Sequence, residues 1–133
     1  MATIQTLKPG DQLPTIECPP VTRLDLIKYA GASGDYNPIH TIDDEARKAG
    51  LPGIIAHGMW SMGQLSRIVS PYLHEGFVKS YSVRFHAMVF LGDQLSLKAQ
   101  LQEIQNDEYL FNVEAVKQTG EVAVKGTLIF KVI

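Results

Sequence analysis

The stretch "HGMWSMGQLSRIVSPYLHEG", residues 57–76, decides how the rest of this chain has to fold. Several of its side chains recur at helical spacing and form one stripe: Met59, Met62, Ser66, Val69 and Leu73. Further apolar side chains, such as Trp60 and Leu65, cover other sides of the same helix. A helix that is apolar on nearly every side is typical of a buried element. We therefore predict a buried helix here, which Pro71 bends or shortens near its end.

The second half of the chain has the period of two that is typical of half-buried strands. Apolar and polar residues alternate over four segments, at positions 81–89, 95–101, 109–115 and 122–132. Short turn signals, "GD", "QNDE" and "TGE", separate these segments. The pattern predicts four strands in meander order within an antiparallel sheet.

The buried helix and the sheet cover each other only if the helix lies across the apolar face of the sheet. A strand near the N-terminus, either around 3–7 or around 15–18, is expected to complete the sheet. The predicted fold class is therefore α+β. The predicted architecture is a hot-dog fold, in which a curved antiparallel sheet wraps around a central buried helix.

Two shorter helices are predicted ahead of the buried one. Thr22 is expected to cap a helix that runs to about Ala32, with Asp25 as its capping-box partner. Asp43 or Asp44 is expected to cap a second, shorter helix that "AG" at 49–50 closes.

Length and charge narrow the possible functions. A chain of 133 residues favours one domain, covering 1–133. A net charge of -2, without a block of Lys and Arg, gives no case for nucleic acid or an anionic membrane. No apolar run reaches the length of a membrane span, and the N-terminus lacks the apolar region of a signal peptide. The one cysteine, Cys18, excludes an internal disulfide, so we expect a cytoplasmic location.

Polar chemistry is concentrated in "GDYNPIH", residues 34–40, which fits no secondary-structure period. Asn37 and Pro38 form a turn signal between a carboxylate and an imidazole. A turn at this point would let Asp35 and His40 face one water molecule from two sides. Such a pair can act as general base and general acid. The sequence does not assign either proton transfer to one member of the pair.

A second polar stretch, "AHGM" at 56–59, opens the predicted buried helix. The first N–H groups of a helix have no intrahelical acceptor and lie at its positive end. Gly58 has no side chain, so a ligand can approach its N–H closely. We expect an oxyanion hole here, suited to a carbonyl oxygen that gains negative charge during a reaction.

The run "YAGASGDYNPIHTIDDEARKAGLPGIIAHGMWSMG", residues 29–63, resembles the signature of the MaoC-like, (R)-specific enoyl-thioester hydratases and dehydratases. "FHAMVFLGD", residues 85–93, is similar to the strand and turn of that family, although Met88 stands where many members have proline. The resemblance implies a hot-dog lyase of fatty acid metabolism. Its substrates would be trans-2-enoyl and (R)-3-hydroxyacyl thioesters of CoA or acyl carrier protein.

The resemblance also implies roles for single residues. Asp35 and His40 would grip the catalytic water, and Gly58 would stabilise the thioester oxygen. The residues expected to bind the substrate lie on the same loop and helix: Asn37, His57, Met59, Met62 and Ser66. We expect no cofactor, and no spacing of His, Cys or acidic residues resembles a zinc pattern.

Two other functions are possible for a chain of this fold. A hot-dog thioesterase would need an acidic residue on the long helix, but 59–73 contains no Asp or Glu. A non-catalytic acyl-binding subunit would be expected to lose the pair of Asp35 and His40, and this chain has both. An exposed sheet edge invites pairing, so we expect a homodimer or a heterodimer with a second hot-dog subunit. The sequence leaves the acyl chain length, the carrier and the direction of the reaction open.

Overall fold

A five-stranded antiparallel sheet forms the frame of the molecule, in a computed structural model that describes residues 3–133. The strands are β1 (Ile16–Glu17), β2 (Gly76–Phe85), β3 (Leu95–Gln105), β4 (Glu108–Lys117) and β5 (Val122–Val132). Their order across the sheet is β1-β3-β4-β5-β2. The predicted antiparallel sheet is therefore confirmed.

Three α-helices lie between β1 and β2: α1 (Arg23–Ser33), α2 (Asp43–Lys48) and α3 (Gly58–Ser66). Short 3₁₀ helices occupy Ile4–Thr6, Pro38–His40 and Arg67–Tyr72. Helix α3 packs against β3 and β4. The α+β class and the hot-dog arrangement, a sheet with a helix across its apolar face, are confirmed.

The core lies between this sheet face and the segment from α3 to the following 3₁₀ helix. Strands β3 and β4 bury alternate side chains, as their period of two predicted. They supply Leu95, Leu97, Ala99, Leu101, Tyr109, Phe111, Val113 and Ala115. The helical segment supplies Leu65, Ile68, Val69 and Tyr72.

The predicted meander order is wrong for its first strand. Strand β2 pairs with β5 at the far side of the sheet and not with β3. The turn at "GD" exists, because Gly92 has a φ of 84°. However, residues 86–94 cross over to β3 instead of closing a hairpin. Turn chemistry alone does not reveal such a crossover.

The predicted bounds of β2 are also wrong. The strand begins at Gly76 and ends at Phe85, whereas alternation placed it at 81–89. A register shift between Val78 and Ser80 interrupts the alternation in the first half of the strand. This irregularity hides residues 76–80 from a search for a period of two.

Of the two positions proposed for an N-terminal strand, the structure confirms 15–18 as β1. The alternative at 3–7 is wrong, because Ile4–Thr6 is a 3₁₀ helix. The buried Glu75 carboxylate holds this helix by accepting hydrogen bonds from the Thr3 hydroxyl and the Ile4 N–H. Burial acts to raise the pKa of Glu75, but these hydrogen bonds lower the pKa below its usual value.

The capping box at Thr22 and Asp25 is confirmed, and α1 ends at Gly34 in the left-handed conformation. The predicted cap of α2 is wrong. Ile42 occupies its N-cap without a side-chain hydrogen bond, and Asp43 pairs with Arg23 at 2.9 Å. The acidic first turn of α2 still favours the helix through the helix dipole.

The apolar stripe predicted for α3 is rotated from the true buried face. Met59 and Leu73 are 59% and 54% exposed, whereas Ser61 and Leu65 are buried. The α-helix ends at Ser66 and continues as a 3₁₀ helix containing Pro71, so the predicted effect of proline is confirmed. No helix in 3–133 is long and apolar enough to cross a membrane.

Tyr81 fixes α3 to the edge strand β2. Its hydroxyl donates a hydrogen bond of 2.6 Å to the Met62 carbonyl. Burial raises the pKa of Tyr81 to about 12, so the hydroxyl keeps its hydrogen at neutral pH. The middle of α3 is thereby held beside the middle of β2.

The close approach of β2 and β5 gives a first testable prediction. A Cβ atom at Gly126 would lie 1.9 Å from the Ser82 carbonyl oxygen, whereas a Cβ at Gly63 in α3 would meet nothing within 4 Å. Gly126→Ala should lower the free energy of unfolding by about 1–3 kcal/mol. Gly63→Ala, the control, should raise it by about 0.5–1 kcal/mol. Urea denaturation measures both changes, and full stability of Gly126→Ala would contradict this strand packing.

Candidate active site

The polar loop after α1 is shaped by two successive side-chain turns. The Asp35 carboxylate accepts a hydrogen bond from the Asn37 N–H at 3.2 Å. The Asn37 side-chain oxygen accepts one from the Ile39 N–H at 3.2 Å and caps the 3₁₀ helix Pro38–His40. These turns reverse the chain so that Asp35 and His40 lie on the same side.

The two ring nitrogens of His40 face different groups: a backbone carbonyl on one side and a carboxylate on the other. Nδ1 lies 2.7 Å from the Ile55 carbonyl oxygen. Because a carbonyl oxygen only accepts, Nδ1 carries the hydrogen of the neutral ring. The lone pair of Nε2 then faces the Asp35 carboxylate, whose Oδ2 atom is 3.8 Å away. The ring is buried, whereas the carboxylate is half exposed.

His57 connects these residues to α3. It is 1% exposed, and its ring stacks on His40 with centroids 3.8 Å apart and planes at 23°. Its Nε2 atom lies 3.1 Å from the Asp35 carbonyl oxygen. Tyr29 of α1 packs edge-on against the same ring at 4.8 Å. One buried imidazole therefore contacts α1, the polar loop and the start of α3.

The surroundings of His57 favour its neutral form. Burial lowers the pKa of His57, and the charge of a protonated His40 would lower it further, although the hydrogen bond to Asp35 opposes both effects. Its Nδ1 atom has no hydrogen-bond partner among residues 3–133. A proton on this nitrogen would therefore be buried without an acceptor.

The beginning of α3 presents backbone donors beside this cluster. The N–H groups of Trp60 and Ser61 both donate to the His57 carbonyl, at 3.1 and 3.2 Å. Gly58 and Met59 precede Trp60, the first residue whose N–H is paired within the helix, so their own N–H groups have no intrahelical partner. A Cβ atom at Gly58 would lie 3.3 Å from the Phe85 ring, so even a methyl group would crowd this position.

A cleft of about 330 Å³ runs from Gly58 along the end of β2. Its walls are mostly apolar, and the lining residues come from α3, β2, β5 and the two connecting segments. They are Ile55, Ala56, Gly58, Ser61, Phe85, His86, Ala87, Met88, Val89 and Val124. The first backbone donor of α3 therefore lies at the wall of an apolar groove.

The structure brings together four of the predicted site residues: Asp35, His40, His57 and Gly58. Asn37 does not join this group; its side chain caps the 3₁₀ helix of the loop by accepting from the Ile39 N–H. Three predicted residues on α3 lie away from the lining of this cleft in the described part of the chain. Met59 is exposed, the Met62 carbonyl accepts from Tyr81, and the Ser66 hydroxyl donates to the Gly63 carbonyl at 2.6 Å. Their role in substrate binding stays a prediction.

Sequence reasoning missed Ser61, Phe85 and the Ile55 carbonyl. The spacing of Ser61 carried a signal, because it follows His57 by four residues and so shares its helix face. Phe85 was placed on a strand, but its contact with Gly58 depends on the crossover of the chain after β2. The Ile55 carbonyl gave no signal, because a backbone group has no identity in the sequence.

The same cluster has three atoms of the kind that bind metal ions. One donor atom each of Asp35, His40 and His57 lies within 4.8 Å of the others. An imidazole binds zinc in its ring plane, at about 2.0–2.1 Å from the nitrogen. The two rings are stacked 3.8 Å apart and nearly parallel. No point lies in both ring planes at that distance from both nitrogens, so the two imidazoles do not fit a shared metal in this arrangement.

Comparisons with known proteins identify the family of this chain. A protein-family model described as a MaoC like domain matches residues 5–124. Fatty acid synthase subunit beta of Aspergillus oryzae is 37% identical over 108 residues, which cover 77% of this chain and 5% of that subunit. The mitochondrial 3-hydroxyacyl-[acyl-carrier-protein] dehydratase of Arabidopsis thaliana is 32% identical over 104 residues, which cover 75% of this chain and 63% of the dehydratase.

Among solved structures, the unliganded R-hydratase PhaJ1 of Pseudomonas aeruginosa has a TM-score of 0.86 and 25% sequence identity. The match covers 95% of this chain and 82% of that one. By contrast, this chain spans less than two thirds of either curated relative, at 5% and 63% of their lengths.

The buried His57 gives a prediction about pH and stability. Because its pKa is lowered in the folded state, the unfolded chain binds more protons below about pH 6.5, the ordinary histidine pKa. The free energy of unfolding is therefore highest above that pH, where His57 is neutral in both states. It decreases as the pH falls toward the folded-state pKa of His57. His57→Gln keeps a side-chain donor but does not titrate. It should flatten the fall in the free energy of unfolding between about pH 7 and about pH 5.

The control is His86→Gln, which removes an exposed histidine. In urea denaturation at several pH values, the free energy of unfolding of this variant should change with pH as it does in the unaltered protein. The same slope in His57→Gln would mean that His57 is not held neutral.

Proposed function

The chain belongs to the MaoC-like domain family, and from that premise we propose that it catalyses the reversible hydration of trans-2-enoyl thioesters to (R)-3-hydroxyacyl thioesters. The proposed enzyme is a hydro-lyase of fatty acid metabolism. The observation that carries the proposal is the spacing of 3.8 Å between His40 Nε2 and Asp35 Oδ2, beside the first N–H of α3.

We propose that one water molecule bridges Asp35 and His40. The distance of 3.8 Å is too long for a direct hydrogen bond between them. It fits a water oxygen about 2.8 Å from each atom, donating one hydrogen to each. Because Nδ1 of His40 donates to Ile55, Nε2 accepts from this water. The water oxygen then keeps a lone pair for attack on carbon.

In the proposed hydration the water oxygen forms a bond to C3 of the enoyl group, and the C2–C3 double bond becomes an enolate. The pair of Asp35 and His40 removes one proton from the water. The same pair returns a proton to C2, so the atoms of one water are added and the enzyme is regenerated. The reverse sequence dehydrates the hydroxyacyl thioester. We assign both transfers to the pair as one unit.

We propose that the Gly58 N–H binds the thioester oxygen. Negative charge grows on this oxygen as C3 is attacked, and the positive end of α3 stabilises it. The absence of a side chain at Gly58 keeps its N–H accessible to the thioester, whereas a Cβ atom would crowd the Phe85 ring. His57 would hold this donor in register with the water, since it contacts both Asp35 and His40 and directly precedes Gly58.

The cleft beside β2 is the proposed site of the acyl chain. Phe85, Met88 and Val89 give it apolar walls, and Met side chains adapt to different chain lengths. Both CoA and acyl carrier protein thioesters are proposed carriers, because the similar proteins include an R-hydratase and an acyl-carrier-protein dehydratase. The single domain and the cytoplasmic location expected from the sequence stay predictions; one relative carries a mitochondrial name.

The catalytic proposal predicts large losses of activity without loss of fold. Asp35→Asn and His40→Ala should each lower turnover about 100- to 10,000-fold in a hydration assay with trans-2-enoyl-CoA. The double variant should be little worse than the worse single variant, because both residues act on one water. The thermal midpoint of each should stay close to that of the unaltered protein.

Matched controls are Asp44→Asn and His74→Ala, which remove the same groups at exposed positions outside the cleft. Both should keep full turnover. Near-normal turnover in folded Asp35→Asn would refute the assignment. Activity that appears only after a second hot-dog subunit is added would favour the partner-dependent alternative.

We also propose that the chain assembles through the open edge of β2, which pairs only with β5 among the described strands. Exposed apolar side chains lie at the start of α3 and near the end of β2. Met59, Phe85 and Met88 are at least half exposed. A second hot-dog subunit that covers this area would also enclose the open side of the cleft.

This proposal predicts twice the chain mass by light scattering. Met59→Glu should shift the protein toward a monomer, because the charge would be buried in the interface. The control Ile104→Glu places the same charge on an exposed position of β3 and should leave the mass unchanged. A well-folded and fully active monomer would contradict the proposed assembly.

A further inference from the structure

A buried ion pair joins Asp93, on the crossover between β2 and β3, to Lys117 at the end of β4. The Lys117 ammonium is 2.9 Å from Asp93 Oδ2, and both residues are only 8% exposed. Gln118 donates a hydrogen bond of 2.8 Å to the other carboxylate oxygen. Neither charge contacts the residues proposed to carry out the reaction, so the mechanism leaves this pair without a role.

The pair holds one short segment at two points. Lys117 donates a hydrogen bond of 3.0 Å to the Met88 carbonyl, and its ammonium lies 5.1 Å from the centre of the Phe90 ring. The Phe90 N–H donates to Asp93 at 2.8 Å. Residues 88–90 are therefore fixed at both ends by the same two buried charges.

This segment, in turn, fixes the backbone that orients His40. The Ala56 N–H donates to the Val89 carbonyl at 2.8 Å, and Ile55 forms a β-bridge with Phe90. The carbonyl of Ile55 is the acceptor for His40 Nδ1, at 2.7 Å. A continuous set of contacts thus runs from Lys117 to the imidazole.

Stability alone gives a poor reason for this pair. Replacing a buried ion pair with apolar side chains of similar volume is often neutral or stabilising, because two charges lose their hydration. Burial acts to raise the pKa of Asp93, but hydrogen bonds from Phe90, Gln118 and Lys117 and the charge of Lys117 lower its pKa. The carboxylate is therefore charged at neutral pH and binds Lys117 and the Phe90 N–H together.

We propose that Lys117 and Asp93 are positioning residues of the site: they hold 88–90 so that the Ile55 carbonyl fixes the tautomer and direction of His40. This inference rests on the proposed function, because it assigns His40 a part in hydration. Displacing His40 by a fraction of its distance to the water would slow the chemical step, and kcat at saturating substrate reports that step even when the cleft wall at Met88 and Val89 also shifts.

The test is Lys117→Met, which keeps an apolar chain of similar length but loses the hydrogen bond to the Met88 carbonyl and the charge that pairs with Asp93. Turnover (kcat) at saturating trans-2-enoyl-CoA should fall, by up to about 100-fold. Amide hydrogen exchange at Ala56 should become faster, because its acceptor on Val89 is no longer held.

Glu75→Gln is the matched control. It alters another buried carboxylate, which holds Thr3 and Ile4 far from the site in the fold. Both variants should lower the thermal midpoint. Only Lys117→Met should lower kcat and speed exchange at Ala56. If Lys117→Met does not fold, Asp93→Asn replaces it, with a smaller fall in kcat at saturating substrate as the expected result.

Full kcat in folded Lys117→Met, or an equal fall in Glu75→Gln, would overturn the inference. If the unaltered protein has no hydratase activity, the proposed function fails instead. In that case the exchange rate at Ala56 still decides whether the ion pair holds Ile55: faster exchange in Lys117→Met supports the contact, and unchanged exchange overturns it.

Discussion

The hydrogen bond from His40 Nδ1 to the Ile55 carbonyl, 2.7 Å long, is the contact on which the proposed chemistry depends. It places the ring hydrogen on Nδ1 and leaves the lone pair of Nε2 directed toward Asp35. The opposite tautomer would point an N–H at the water and remove its acceptor. Since a carbonyl group cannot donate, this backbone atom selects the useful form of the imidazole without another titratable side chain.

This contact depends on the fold, because Ile55 and His40 come from different segments that the sheet brings together. The Ile55 segment pairs with the crossover after β2, and His40 belongs to the loop after α1. His57 stacks between the loop and the start of α3, so the proposed water position and the backbone donor of Gly58 share one support. Burial of both imidazoles prevents them from turning away, at the cost of a lower pKa for His57.

Much of this arrangement could be predicted from residue types and spacing. Asp35 and His40 were found because a carboxylate and an imidazole flank a turn, and the sheet because its strands alternate. The pairing of β2 with β5 could not be predicted, since local turn chemistry says nothing about a crossover. The role of the Ile55 carbonyl could not be predicted, because every residue has a backbone carbonyl. The burial of Lys117 could not be predicted either, because it depends on Asp93 lying beside it in the fold.

The ring-nitrogen NMR spectrum of His40 tests the central claim most directly. Comparison with His40→Ala assigns the signals in uniformly ¹⁵N-labelled protein, at a pH at which the ring is neutral. The account predicts a protonated Nδ1 and an unprotonated Nε2, the form fixed by the Ile55 carbonyl. A spectrum with the hydrogen on Nε2 would contradict it, because the bridging water would then have only Asp35 as its acceptor.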